Sequence, residues 1–126
     1  MEAGKGEPWL IKFQTELRKD LPNHLITHAP QAPYFKQEHY KGGAYITVHK
    51  SVGHTIDFYN VQFYNQGSTS YSTSNGLFNV SGGWAPGTSV NEIIAKGVPM
   101  NKIVVGKAAT LGDADSASYM TASALN

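Results

Sequence analysis

Three short apolar runs, separated by stretches with helical patterning, constrain most strongly what this chain can fold into. The runs occupy residues 25–29, 58–65 and 102–106, and each is rich in β-branched or aromatic side chains. They recur at a spacing of roughly 40 residues with a helical stretch between successive runs. This order is typical of parallel strands joined by right-handed crossovers. We therefore predict an α/β fold with about three parallel strands and flanking helices.

The N-terminal stretch has the pattern of an amphipathic helix. Pro8 suits the first turn of a helix, and the helix is expected to end near Pro22. Apolar side chains recur at helical spacing between these prolines, which predicts one face that packs on the sheet. That predicted apolar face comprises Trp9, Leu10, Phe13 and Leu17.

The connections between the later runs also carry signals. Residues 44–56 fit a helix about as well as a strand, because their β-branched side chains favour the strand, and we predict a helix. Ser89 and Glu92 have capping-box spacing before a short helix that Gly97 ends. Residues 67–87 are rich in Ser, Thr, Asn and Gly and are predicted to form a long surface loop. The tail, residues 113–125, is predicted to hold one more short helix.

Length and charge limit the classes of function. With 126 residues the chain is expected to form one domain, residues 1–126, which is too small for a complete barrel. Ten basic and nine acidic side chains give a net charge of +1. This balance argues against nucleic acid or an anionic membrane surface as a partner. The chain has no cysteine, which excludes a disulfide framework and a thiolate zinc site.

The five histidines do not match any known set of metal ligands in their spacing, and we predict neither a metal nor a cofactor. His28 has the best claim to a chemical role, because it lies at the end of a predicted strand. A pairing of His28 with Asp57 is left open as an ion pair or a general-base device. A nuclease that uses His28 or His54 is also conceivable, although the net charge gives it little support.

Three segments resemble plant and fungal chitinases of glycoside hydrolase family 18. LITHAPQAPY at residues 25–34 is similar to the fifth barrel strand of that family. DFYNVQFYN at residues 57–65 resembles the sixth strand, and GVPMNKIVVG at residues 97–106 resembles the approach and body of the seventh. The resemblance covers roughly residues 8–115 and implies a partial (β/α) barrel, the C-terminal part of the family's fold.

A partial barrel of this kind has consequences for assembly. About three parallel strands leave edges unpaired and an apolar inner face uncovered, which is unfavourable for an isolated chain. We therefore predict that the half-barrel is completed by oligomerisation, as a homodimer with its core at the interface.

The resemblance also implies a sugar site. In the family, Tyr64 would correspond to the tyrosine that hydrogen-bonds the acetamido group, with Gln62 and Asn65 lining the same subsite and Gln31 near the sugar. Trp84 could stack on a pyranose ring, or it could only anchor its own loop. These are the expected substrate-binding residues.

The family's reaction is substrate-assisted, because the acetamido oxygen of the sugar attacks the anomeric carbon while a carboxylic acid protonates the leaving oxygen. The family carries that acid in an Asp-x-x-Asp-x-Asp-x-Glu pattern, which this sequence does not contain. No catalytic residue is therefore predicted.

The resemblance thus predicts a protein that binds an N-acetylglucosamine oligosaccharide or chitin, as a lectin does. The alternative is a fragment of an active chitinase, or an oligomer that rebuilds an acid site from Glu38, Asp57 or Asp113. The resemblance implies a secreted, extracellular protein, whereas residues 1–8 mix charges with glycine and do not read as a signal peptide.

Overall fold

The three predicted strands form one parallel sheet with the order β1, β2, β3. The structure is a computed structural model that describes residues 1, 3–69, 71–115 and 118–125. Its strands are β1 (Thr27–His28), β2 (Phe58–Gln62) and β3 (Ile103–Gly106). Its helices are α1 (Gly6–Asp20), α2 (Ala44–Val52), α3 (Ser74–Phe78), α4 (Val90–Ala95) and α5 (Ala122–Leu125). Short 3-10 turns occupy Ala32–Phe35, Gln37–His39, Gly53–Thr55 and Met100–Lys102. The predicted α/β class with three parallel strands is confirmed.

The central strand β2 sets the register of the sheet. Thr27 of β1 pairs with Phe58, and Gln62 at the end of β2 pairs with Gly106 of β3. An isolated bridge between Gln31 and Gln62 continues the contact beyond β1. Within the described residues, β1 and β3 each keep one edge unpaired, so the sheet is open on both sides.

The two faces of β2 differ as alternation predicts. Val61 and Phe63 are fully buried on the face that packs against the helices. Gln62 and Tyr64 lie on the other face, which no described helix covers, and each is only half-buried. That uncovered face was expected to be apolar, but along β2 its side chains are mainly polar. The reason is that Asn60 and Gln62 of β2 have amide side chains on this face and Tyr64 follows on the same face with a phenol.

The predicted apolar face of α1 is wrong for its two aromatic residues. Trp9 is 65% exposed and Phe13 is 46% exposed, and their rings stack on each other with centroids 5.3 Å apart. The buried residues of α1 are instead polar, because each finds a partner in another element. Glu7 accepts a hydrogen bond from the Ala44 N–H at the start of α2, and Gln14 donates to the Thr55 carbonyl.

The predicted helix at residues 44–56 is confirmed as α2 followed by a 3-10 turn. Residues 67–87 are more ordered than a surface loop, because they contain α3 and bury Tyr71 and Leu77. The tail contains α5, which has only four residues. No helix in the described part of the chain is long and apolar enough to cross a membrane.

Candidate functional site

Gln31 and Gln62 lie side by side where β1 and β2 end. Their backbones form the bridge described above, and the Gln62 side-chain amide donates to the Ala29 carbonyl at 2.6 Å. This bond orients the carboxamide and leaves its oxygen available as an acceptor. Parallel sheets place ligands outside the carboxyl ends of their strands, which is where both glutamines lie.

Tyr64 and Asn65 continue from the end of β2. Tyr64 is half-buried on the uncovered face, two residues beyond Gln62. Asn65 has a left-handed backbone with φ of 56°, which asparagine tolerates better than most residues. Its N–H donates to the Ser118 hydroxyl at 2.9 Å, and its side-chain oxygen accepts from the Asp115 N–H at 2.7 Å. Asn65 therefore shapes the corner beside Tyr64 as well as being a predicted sugar contact.

Trp84 reaches the same end of the sheet from the loop after β2. Its indole N–H donates to the Gln66 carbonyl at 2.9 Å, and its ring centroid lies 5.4 Å from that of His39. The Lys36 ammonium also donates to the Trp84 carbonyl. Trp84 is nevertheless 40% exposed, so its anchored position leaves surface for a ligand. The other four predicted binding residues lie at or after the carboxyl ends of β1 and β2, and Trp84 is tied to that region through the Gln66 carbonyl.

A half-buried carboxylate, that of Glu92, anchors the loop that contains Trp84. Glu92 accepts hydrogen bonds from the Ser81 hydroxyl at 2.7 Å and from the Ser89 N–H at 2.9 Å, while the Ser89 hydroxyl accepts from the Glu92 N–H. The predicted capping box is thus confirmed. Burial acts to raise the pKa of Glu92, but the hydrogen bonds from Ser89 and Ser81 outweigh it and lower the pKa to about 2.

We expect Glu92→Gln to lower the free energy of unfolding at pH 7 by about 2 kcal/mol, because the charged acceptor of the capping box is lost. The folded-state pKa lies below the unfolded value of 4.5, so this contribution is present above pH 4.5 and is lost as pH falls toward 2. Urea unfolding at pH 7 and pH 3 should therefore show a smaller difference between variant and parent at pH 3. Glu16→Gln, at an exposed ion pair with Lys19, is the control. An equal difference at both pH values would contradict this assignment.

His28 does not pair with Asp57. Asp57 accepts hydrogen bonds from Arg18 at 2.7 Å and from the Ile26 N–H at 2.8 Å, at the amino end of β2. The Ile26 N–H and the Arg18 side chain lower the pKa of Asp57, as expected for an ionised carboxylate with these donors. The pairing of these two residues is wrong because α1 offers each side chain a different partner, Gln14 for His28 and Arg18 for Asp57.

His28 is instead part of a hydrogen-bonded chain between the sheet and the helices. Its Nε2 lies 3.1 Å from the Gln14 side-chain oxygen, and its Nδ1 lies 3.3 Å from the Tyr45 hydroxyl. Because the Gln14 amide nitrogen donates to Thr55, the Gln14 oxygen must accept, so Nε2 of His28 has the proton. Burial lowers the pKa of His28, which favours this neutral form. His28 is a half-buried structural residue that links the sheet to α1 and α2.

The carboxylates considered for a rebuilt acid site are dispersed. Glu38 lines a separate cavity of about 550 Å³ beside Tyr40 and Thr47. Asp57 lies at the opposite end of β2, and Asp113 accepts from the Thr110 N–H in the loop after β3. Among the described residues, no group of three or more His, Asp or Glu side chains is placed to hold a metal ion.

Three residues near Tyr64 were missed by sequence analysis. Asp115 and Ser118 bond to Asn65, and the Lys107 ammonium donates to the Phe63 carbonyl at 2.9 Å. The only local signal was the spacing of Asp115 and Ser118, which suits a side-chain-capped turn. Their proximity to β2 depends on the return path of the chain after β3.

The similarity of this chain to known proteins is found among solved structures. No protein-family model matches the chain, and a search of curated proteins finds no match. Solved structures do match. A GH18 chitinase from Pseudoalteromonas aurantia is 34% identical over 87% of this chain, with a TM-score of 0.65. A fungal endo-β-N-acetylglucosaminidase from glycosyl hydrolase family 18 is 27% identical over 92% of this chain, with a TM-score of 0.66.

The chain matches only part of each of these two proteins. The chain spans 37% of the length of the chitinase and 36% of that of the endo-β-N-acetylglucosaminidase. Its open three-stranded parallel sheet is the architecture that a segment of a (β/α) barrel would have. The chain therefore corresponds to a partial barrel of glycoside hydrolase family 18, with a chitinase-like fold.

Proposed function

We propose that the chain acts as one half-barrel domain, residues 1–126, that binds N-acetylglucosamine oligosaccharides or chitin as a lectin does. The observation that carries the proposal is the bridge between Gln31 and Gln62 at the carboxyl end of the sheet, with Tyr64 two residues further along on the face of Gln62. The two similar structures are a chitinase and an endo-β-N-acetylglucosaminidase, and both names indicate glycans built on N-acetylglucosamine.

The chemistry of the cluster suits a neutral sugar. The Gln62 carboxamide oxygen can accept from a hydroxyl or an acetamido N–H, and the Tyr64 hydroxyl can donate to an acetamido oxygen. The exposed part of the Trp84 ring can pack on the C–H face of a pyranose. Together these groups offer a polar and aromatic platform with hydrogen bonds in both directions.

A binding role without catalysis is favoured by the state of the carboxylates. A general acid at neutral pH needs a raised pKa, so that the proton is held until the leaving group takes it. Two carboxyl groups in the described residues have a clearly shifted pKa, Asp57 and Glu92, and in both the pKa is lowered. Neither group is suited to protonate a glycosidic oxygen.

Calorimetric titration with chitotetraose tests the proposal. We expect Tyr64→Phe to weaken binding about 5-fold, because one hydrogen bond worth about 1 kcal/mol is lost while the ring remains. Tyr119→Phe is the matched control, since it removes the same hydroxyl from a half-buried tyrosine of the tail. Cellotetraose, which lacks acetamido groups, should bind more weakly than chitotetraose. Equal affinity for the two sugars would overturn the assignment of the acetamido contact to Tyr64.

We further propose that the half-barrel is completed by a second copy of the chain. The unpaired edges of β1 and β3 and the exposed side chains of Trp9 and Leu25 support this homodimer, because all four would be sheltered by a partner. Light scattering should give the mass of two chains. A monomeric mass over the whole concentration range would contradict the proposed homodimer, and it would leave the proposed sugar site unaffected.

A second candidate function is a segment of an active hydrolase. It is favoured by one observation, that the chain spans only about a third of each similar enzyme. Further strand and helix units could then add to the edge of β1 and pack on the stacked Trp9 and Phe13. Mass spectrometry of chitotetraose separates the two candidates when the chain is incubated alone and together with a separately produced polypeptide that carries the family's Asp-x-x-Asp-x-Asp-x-Glu strand. Shorter products in either sample would favour the hydrolase, and an unchanged tetramer that still binds in both samples would favour the lectin.

A further inference from the structure

The chain returns to the end of β2 after β3 and brings a carboxylate beside the candidate sugar site. The Asp115 N–H donates to the Asn65 side-chain oxygen at 2.7 Å, and the Asn65 N–H donates to the Ser118 hydroxyl at 2.9 Å. The Ser118 hydroxyl in turn donates to one carboxylate oxygen of Asp115 at 2.6 Å. These three bonds close a ring that ties Asp115 to the residue next to Tyr64.

Lys107 connects this ring of hydrogen bonds to the sheet. The Lys107 ammonium donates to the carbonyls of Phe63 at 2.9 Å, Tyr71 at 3.2 Å and Ser118 at 2.5 Å. One cation thus joins the end of β2, the loop after β2 and the tail. Burial lowers the pKa of Lys107 to about 8, and the nearby negative charge of Asp115 acts in the opposite direction. Asp115 is therefore positioned by its own bonds to Asn65 and Ser118, and Lys107 in turn binds the Ser118 carbonyl.

Among the described residues, none is recorded as a partner of the second carboxylate oxygen of Asp115, which is available for a ligand. Its partner oxygen accepts from Ser118, and the residue is exposed at the carboxyl end of the sheet. A carboxylate oxygen is a strong acceptor for a hydroxyl donor. Because the Lys107 ammonium offsets the charge of Asp115, the pair suits a neutral hydroxyl better than the ammonium group of a deacetylated sugar.

We propose that Asp115 is a specificity-determining residue of the glycan site, whose free carboxylate oxygen accepts a hydrogen bond from a hydroxyl of the sugar bound beside Tyr64. The inference rests on the proposed function and adds to it a contact that comes from the tail of the chain. It assigns Asp115 to the binding surface as well as to the fold.

Asp115→Asn is the direct test, because asparagine keeps an oxygen for Ser118 and removes the charge. Titration with chitotetraose should show affinity lowered about tenfold, as expected for loss of a charged acceptor. Urea unfolding should change little, because the variant keeps the bonds of the ring. Asp113→Asn makes the same change of charge at a carboxylate bonded to Thr110, and it should leave the affinity unchanged.

The double variant with Tyr64→Phe and Asp115→Asn distinguishes a sugar contact of Asp115 from a purely structural role, because it measures whether the two effects on affinity are additive. If both residues contact one sugar, their effects on affinity should be non-additive. Unchanged affinity in Asp115→Asn, with a parent chain that binds, would overturn this inference and leave the proposed function standing. A loss of affinity that is matched by a loss of stability would also overturn it, because Asp115 would then serve the fold alone. A parent chain that does not bind chitotetraose would overturn both.

Discussion

Replacing Gly83 with alanine is expected to lower the free energy of unfolding by about 3 kcal/mol. Gly83 has a left-handed backbone with φ of 64°, which a residue with a side chain adopts only at a cost. A Cβ atom at this position would collide with the Ser68 carbonyl and would lie 2.6 Å from the Thr69 nitrogen. These atoms belong to the backbone and cannot turn aside as a flexible side chain would. Urea denaturation at pH 7 measures the effect.

Gly82→Ala provides a control at the neighbouring position. A Cβ atom at Gly82 meets nothing within 4 Å, and we expect a change in the free energy of unfolding within about 0.5 kcal/mol. The comparison also bears on Trp84, which follows Gly83 in the chain. Gly83→Ala should weaken chitotetraose binding if Trp84 is part of the platform, whereas Gly82→Ala should not. Equal stability of the two variants would contradict the close approach of this loop to residues 68 and 69.

The second large effect is expected at Lys107. We expect Lys107→Met to lower the free energy of unfolding by about 3 kcal/mol, because three carbonyls each lose a charged donor worth about 1 kcal/mol. The Phe63, Tyr71 and Ser118 carbonyls come from three separate segments, so the end of β2 and the tail should loosen together. Urea unfolding measures the loss, and hydrogen exchange at residues 63–65 should report the local loosening.

Lys50→Met is the matched control for Lys107→Met. Lys50 is an exposed residue in the last turn of α2, and the same substitution there should change the free energy of unfolding by less than about 0.5 kcal/mol. If Lys107→Met were no more destabilising than Lys50→Met, the ammonium would not be holding the tail, and the position assigned to Asp115 would lose its support.

Local sequence patterns predicted those parts of the fold that depend on neighbours in the chain. The alternation in β2 predicted which face Val61 and Phe63 share, because side chains of a strand point to opposite sides in turn. The capping box of Ser89 and Glu92 was predicted from spacing, because its bonds close within one helical turn. The order of strands and helices likewise predicted a parallel sheet.

The same reasoning failed where burial depends on a distant partner. Trp9 and Phe13 were predicted to pack on the sheet because they are apolar, yet they stack on each other and stay exposed. Glu7 and Gln14 are buried because Ala44 and Thr55 supply hydrogen-bond partners from other elements. A helical pattern contains no information about such partners.

The candidate site also contains both kinds of residue, those that local sequence patterns predict and those whose contacts depend on distant segments. Gln62 and Tyr64 follow from the sequence, because their shared face is a property of one strand, and Gln31 was placed with them by its resemblance to a family motif. The tertiary structure alone decided that Asp115 reaches Asn65, which is 50 residues away along the chain. It also decided that His28 bonds to Gln14 and Tyr45 rather than to Asp57. The physical reason is that periodicity follows from local backbone geometry, whereas these contacts exist only after the sheet and the return of the tail have brought distant segments together.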